Sequence, residues 1–173
     1  MKYVVLVFVF LIFGFTAFSQ KGVNFQAITF KEALAKAQAE NKLIFMDCYT
    51  AWCGPCKRMA NYVFPQEKAG EYFNSKFICV KFDLEKGEGP ELWKQFQVKA
   101  YPTFLMIRPD GSVQHKIVGG YELEDFIENV EKGLSKKSSL DYLNKMYAKG
   151  KMSKKQMIEY KKVLKVAYER EMS

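Results

Sequence analysis

Cys53 and Cys56 stand three positions apart with Gly54 and Pro55 between them. The segment lies between an apolar run, Leu43–Met46, and a stretch that opens with proline. A thiolate is the reactive form of cysteine, and a free thiol is mostly protonated at neutral pH. The start of a helix offers unpaired N–H groups and positive dipole potential, which favour ionisation there. Cys53 at such a start is predicted to be the exposed, attacking thiol. Cys56, one turn inside on the same face, is predicted to be shielded and to resolve a mixed disulfide. Pro55 suits a first helical turn, where no N–H is needed. Zinc would need two further ligands, and His115 is the only histidine. A purely structural bridge closing so small a ring removes little chain entropy. Asp47 ends the apolar run, where a charge is costly without a partner or a role. Cys48 and Cys79 read as small buried hydrophobes, and His115 as a solvent-facing residue of a hairpin strand.

The elements around these residues alternate. Thr29-Phe30-Lys31-Glu32 is a capping box opening a helix to about Asn41. A strand over Leu43–Met46, a helix from Pro55 broken at Pro65, and a strand over Phe77–Phe82 follow. A short helix over Glu91–Phe96 precedes a strand over Thr103–Ile107. Pro109-Asp110-Gly111 turns the chain into a return strand, Val113–Val118. A helix over Glu122–Leu134 closes the set. This order predicts an α/β fold with parallel pairing and one antiparallel edge.

Two flanking segments differ in character. Lys2, the apolar run Tyr3–Phe13 and the small residues Ala17 and Ser19 read as a secretory signal peptide over residues 1–19. An uncleaved anchor helix is the alternative, but a span needs about 20 apolar residues. Export then places the protein in the periplasm or outside the cell. The chain of 173 residues has a net charge of +8. Residues 20–131 are close to neutral, whereas residues 132–173 hold 12 Lys/Arg against 4 Asp/Glu. Leu140, Leu143 and Tyr147, then Gly150, then a Ser153–Gln156 capping box and Met157, Tyr160, Leu164 and Tyr168 predict a helical hairpin. The domain reading is residues 1–19 signal peptide, 20–134 core domain and 135–173 basic helical tail. Nucleic acid is not expected as the partner of an exported chain.

The run Asp47-Cys48-Tyr49-Thr50-Ala51-Trp52-Cys53-Gly54-Pro55-Cys56-Lys57, with the distant Tyr101-Pro102-Thr103, resembles the thioredoxin family over about residues 25–134. The resemblance implies the thioredoxin fold, a central mixed sheet flanked by helices, here with a C-terminal helical hairpin. It is nearest to exported thioredoxin-like domains that pass electrons to other exported proteins. It implies Cys53 as nucleophile, Cys56 as resolving thiol, Asp47 as the acid moving the proton to and from Cys56, and Lys81 beside that acid. Trp52, Gly54, Pro55, Tyr101, Pro102 and Gly119 match the substrate-binding surface, with Pro102 as a cis-proline. Tyr101 is bulkier than the family's usual residue. The implied activity is thiol-disulfide exchange on disulfide-bearing proteins, with no cofactor beyond the Cys53–Cys56 pair, no metal, and a membrane electron donor. Gly-Pro between the cysteines resembles the reducing end of the family. A docking module, whose basic tail holds a client protein or an anionic surface, is the alternative.

Overall fold

The computed structural model describes residues 21–168; the segment read as a signal peptide lies outside the described residues. Helix α1 spans Phe30–Glu40. Its capping box forms as the sequence demands: Glu32 N–H donates to the Thr29 hydroxyl, and the Glu32 carboxylate accepts from Thr29 N at 2.8 Å. Strand β1 covers Leu43–Tyr49, three residues beyond its predicted end, so Asp47 and Cys48 lie inside the sheet. Helix α2, Gly54–Arg58, runs into a π-helical turn over Met59–Val63. Pro65, which has no N–H to give, ends that run, and α3 occupies Glu67–Lys76. Strand β2 (Phe77–Asp83), helix α4 (Gly89–Phe96), strands β3 (Thr103–Ile107) and β4 (Val113–Val118), and helix α5 (Leu123–Leu134) complete the body.

The sheet order is β2-β1-β3-β4. Among the described residues only β1 and β2 pair in parallel, with Asp47 opposite Lys81. β3 runs antiparallel to β1, where the alternation of elements predicted parallel. Thr103 pairs with Cys48 near the end of β1, so the chain leaving α4 enters the sheet at the end where β1 and β2 stop, and β3 runs back from there.

One sheet face buries aromatic rings. Phe45 lies 4.7 Å from Phe73 and 5.8 Å from Phe104, ring to ring, and Phe126 closes over them from α5. Each such side chain contributes about 1.5–3 kcal/mol on burial. The other face packs Ile44, Met46, Cys48, Ile78, Val80 and Leu105 under α1 and α4. Cys48 and Cys79 are both buried free thiols, as expected. Burial pushes Cys79 up to about 12 and raises Cys48 as well, so neither is a ready nucleophile.

Helices α6 (Leu140–Ala148) and α7 (Lys154–Tyr168) follow. They pack on each other and along β4, covering the sheet's edge. Leu140, Leu143, Tyr160, Val163 and Ala167 form their shared core, while Tyr147 stays mostly exposed. Arg108 and Asp141, 2.8 Å apart, tie α6 to the end of β3. The same helices overturn the expectation for His115, which is only 1% exposed. Its Nδ1 accepts from Leu140 N at 3.1 Å, and Gly133 of α5 lies against its ring. Burial lowers its pKa to about 4. Among the described residues no helix is long and apolar enough to cross a membrane.

Candidate active site

The turn leaving β1 sets the two cysteines. Cys53 N donates to Thr50 O at 3.2 Å. Cys53 is the N-cap of α2, and its Sγ accepts from Cys56 N at 3.1 Å. Pro55 occupies the first turn without an orphaned donor. Cys53 and Cys56 are joined as a disulfide, with Cα atoms 5.3 Å apart. The expected contrast in exposure is absent: Cys53 is 3% exposed and Cys56 6%. The Cys53 sulfur is bonded to Cys56 and turned back over the first turn of α2, not out into solvent. What separates the two is position, one capping the helix and the other within it.

Three segments meet around the disulfide. Trp52 is 65% exposed, and its indole N–H donates to Glu85 at 2.9 Å. Its ring stands edge-on to Tyr101 at 5.9 Å. The Tyr101–Pro102 peptide is cis, as the resemblance implies. Gly119 N donates to Pro102 O at 2.8 Å, and Gly119 has φ 101°, a conformation that favours glycine. A Cβ on Gly120 would stand 3.5 Å from Pro55, so residues 119–120 border the start of α2. The structure thus gathers Trp52, Gly54, Pro55, Tyr101, Pro102 and Gly119 into one cluster at the surface, in which Trp52, Gly54 and Pro55 are exposed and Pro102 and Gly119 are buried.

Beneath that surface Cys56 shares a cavity of about 160 Å³ with Asp47, Thr50, Lys57, Ala60 and Lys81. Burial raises the Asp47 carboxyl to about 7, against the weaker downward pull of Lys81. Neither Asp47 Oδ1 nor the Thr50 hydroxyl has a hydrogen-bond partner, although both are buried. Lys81 and Asp47 are neighbours across β1 and β2, yet the Lys81 ammonium sits 5.6 Å over the Phe25 ring. A carboxyl poised near neutrality can both take and release a proton. Thr50 and Glu85 were not singled out from the sequence. Thr50 sits inside the motif run, and only its orphaned hydroxyl draws notice; Glu85 carries no sequence signal.

The family model for thioredoxin matches residues 22–132 and ends before α6. Thioredoxin-1 of Drosophila melanogaster is 35% identical over 86 residues, covering 46% of this chain and 76% of that protein. A solution structure from Bacteroides thetaiotaomicron, of a protein proposed to be a disulphide-isomerase, is 43% identical with a TM-score of 0.61. That match covers 67% of this chain and 96% of the other. The oxidised DsbD C-terminal domain of Neisseria meningitidis is 25% identical with a TM-score of 0.52, over 64% of this chain and 98% of the other. A match across more than half of the chain, with the cysteine pair at the redox position, means that this chain belongs to the thioredoxin family and is a thioredoxin-like disulfide oxidoreductase.

Proposed function

We propose that the chain reduces or isomerises disulfides of exported proteins in the cell envelope. The observation that carries this reading is the shared cavity of Cys56 and the orphaned Asp47 behind the Cys53–Cys56 pair. In the reduced protein the Cys53 thiolate attacks a substrate disulfide, and one substrate sulfur leaves as thiolate. Asp47, as carboxylate, takes the Cys56 proton. The Cys56 thiolate then attacks the Cys53 sulfur, releasing the second substrate thiolate and restoring the Cys53–Cys56 disulfide. Two electrons pass to the substrate. Trp52, Tyr101, Pro102 and Gly119 form the surface on which the substrate backbone lies, beside Gly54 and Pro55. Lys81 keeps the Asp47 charge from becoming prohibitive.

The envelope reading is supported by the apolar run near the N-terminus and by the likeness to the DsbD domain. The envelope has no NADPH, so a membrane protein with its own dithiol is the electron source. The test is insulin reduction with dithiothreitol as donor, together with Cys56→Ser in cells. The variant should hold exported proteins as mixed disulfides on Cys53. Wild-type protein that leaves insulin intact, or a variant that captures nothing, would remove the proposal.

A further inference from the structure

Several lysines of the thioredoxin body are ion-paired. Lys42 meets Glu40, Lys68 meets Glu124, Lys76 meets Glu131 and Lys86 meets Asp83. Helix α7 gathers its lysines on one side. Tyr160, Val163 and Ala167 are its buried side. At 3.6 residues per turn the opposite side carries Lys154, Lys155, Lys161, Lys162 and Lys165, all exposed, grouped around Ile158. Ile158 is 59% exposed. Among the described residues Lys154, Lys155, Lys161 and Lys162 have no carboxylate partner, and Glu159, half-buried at the margin, pairs with none of them.

We infer that this face of α7 docks the protein on an anionic phospholipid bilayer. Its cations are all lysine, compact charges without the fork that arginine offers for directional pairing. Lysine is depleted in protein–protein interfaces, where arginine and aromatic residues are enriched. An apolar side chain ringed by lysines suits a headgroup layer, into which Ile158 dips while the ammonium groups meet phosphates. The apolar side of α7 is already committed to β4, so the association is peripheral and mostly electrostatic. No residue of this face lines the cavities at Cys56 or beside Pro55, so the docked protein keeps its disulfide open to substrates.

The test uses the full chain with vesicles of phosphatidylcholine, alone or mixed with phosphatidylglycerol. The apolar run at residues 3–13 favours both vesicle types, so the readout is the ratio of the two partition coefficients. For the wild type this ratio should be large at about 0.05 M salt and collapse at about 0.5 M, as the screening length shortens. K155Q/K161Q/K162Q should lower it roughly 100-fold at low salt while insulin reduction is unchanged. The control K36Q/K68Q/K76Q, equal in charge but on the body, should keep the wild-type ratio. A wild type without preference for anionic vesicles, an unaffected α7 variant, or an equal loss in the control overturns the proposal. Binding to polyglutamate without vesicle preference would overturn it in favour of an acidic polypeptide.

Discussion

Asp47 and His115 are two buried ionisable groups on one face of one sheet, and they are treated in opposite ways. Strand register puts Asp47 in the row of Phe104 and Ile117, and His115 in the row of Met106 and Phe45. Burial drives both toward the neutral form, raising Asp47 to about 7 and lowering His115 to about 4. His115 is hydrogen-bonded to Leu140 N and to the Asn129 backbone, and α5 and α6 seal it. Asp47 Oδ1 has no partner and lines a cavity with Cys56. Buried polar groups are normally satisfied. The satisfied one is structural, holding the tail on β4. The unsatisfied one costs stability and, in the exchange proposed above, stands where a proton would move.

The largest effect should come from Asp47→Asn. A carboxyl ordinarily near 3.8 and here near 7 corresponds to about 4 kcal/mol. Because the folded value is the higher, that stability is present below about pH 4 and lost as pH rises through 7. In urea, oxidised Asp47→Asn should therefore exceed the wild type by about 4 kcal/mol at pH 8 and match it at pH 4. Its resolving step should slow about 100-fold at neutral pH, by loss of the proton acceptor. An equal difference from the wild type at pH 4 and 8 would show that burial does not perturb Asp47, unlike His115.

His115→Gln should have the next largest effect, of opposite sign. A folded pKa of about 4 below an ordinary 6.5 gives stability that is complete above pH 6.5 and fades as pH falls toward 4. The magnitude is about 3 kcal/mol. The two slopes oppose each other over much of the same range, so the wild type should look nearly flat there. Each single variant should uncover the other group's slope, and the double variant should be flat again. Exchange activity of His115→Gln should be unchanged at neutral pH. A tenfold loss of insulin reduction in that variant would end the division into a structural and a functional group.

The two residues also mark how far the sequence could be read. Asp47 was legible because its signal is local: an acid closing an apolar run, six positions before a cysteine at a helix start. The capping boxes at Thr29 and Ser153 and the break at Pro65 are equally local, and all three form. His115 misled because Gln114 and Lys116 flank it, which suggests a wet strand. Its burial depends on α6, whose Leu140 lies 25 residues away in sequence. Even Lys116 is buried there, its ammonium 4.8 Å over the Tyr168 ring. The antiparallel direction of β3 likewise has no local signal, because it is set by pairing with β1, far away in sequence.

Thr50→Val should give the smallest effect and the sharpest view of the cavity. The Thr50 hydroxyl is the second buried polar atom without a partner, and it lines the same space as Asp47 and Cys56. Valine keeps the shape and removes an unsatisfied group, so stability should hold or rise by about 1 kcal/mol. If water in the cavity carries the proton between Cys56 and Asp47, the hydroxyl is one of its anchors. Loss of one such hydrogen bond should slow the resolving step about fivefold. Trp52, beside the disulfide, reports that step by stopped-flow fluorescence. The attack by Cys53 should proceed at the wild-type rate, because Thr50 meets Cys53 only through its backbone carbonyl. A resolving step as fast as in the wild type would leave Asp47 as the sole proton carrier and reduce Thr50 to a tolerated defect in packing. A slowed attack with normal resolution would mean that Thr50 acts on the turn holding Cys53 and not on the cavity.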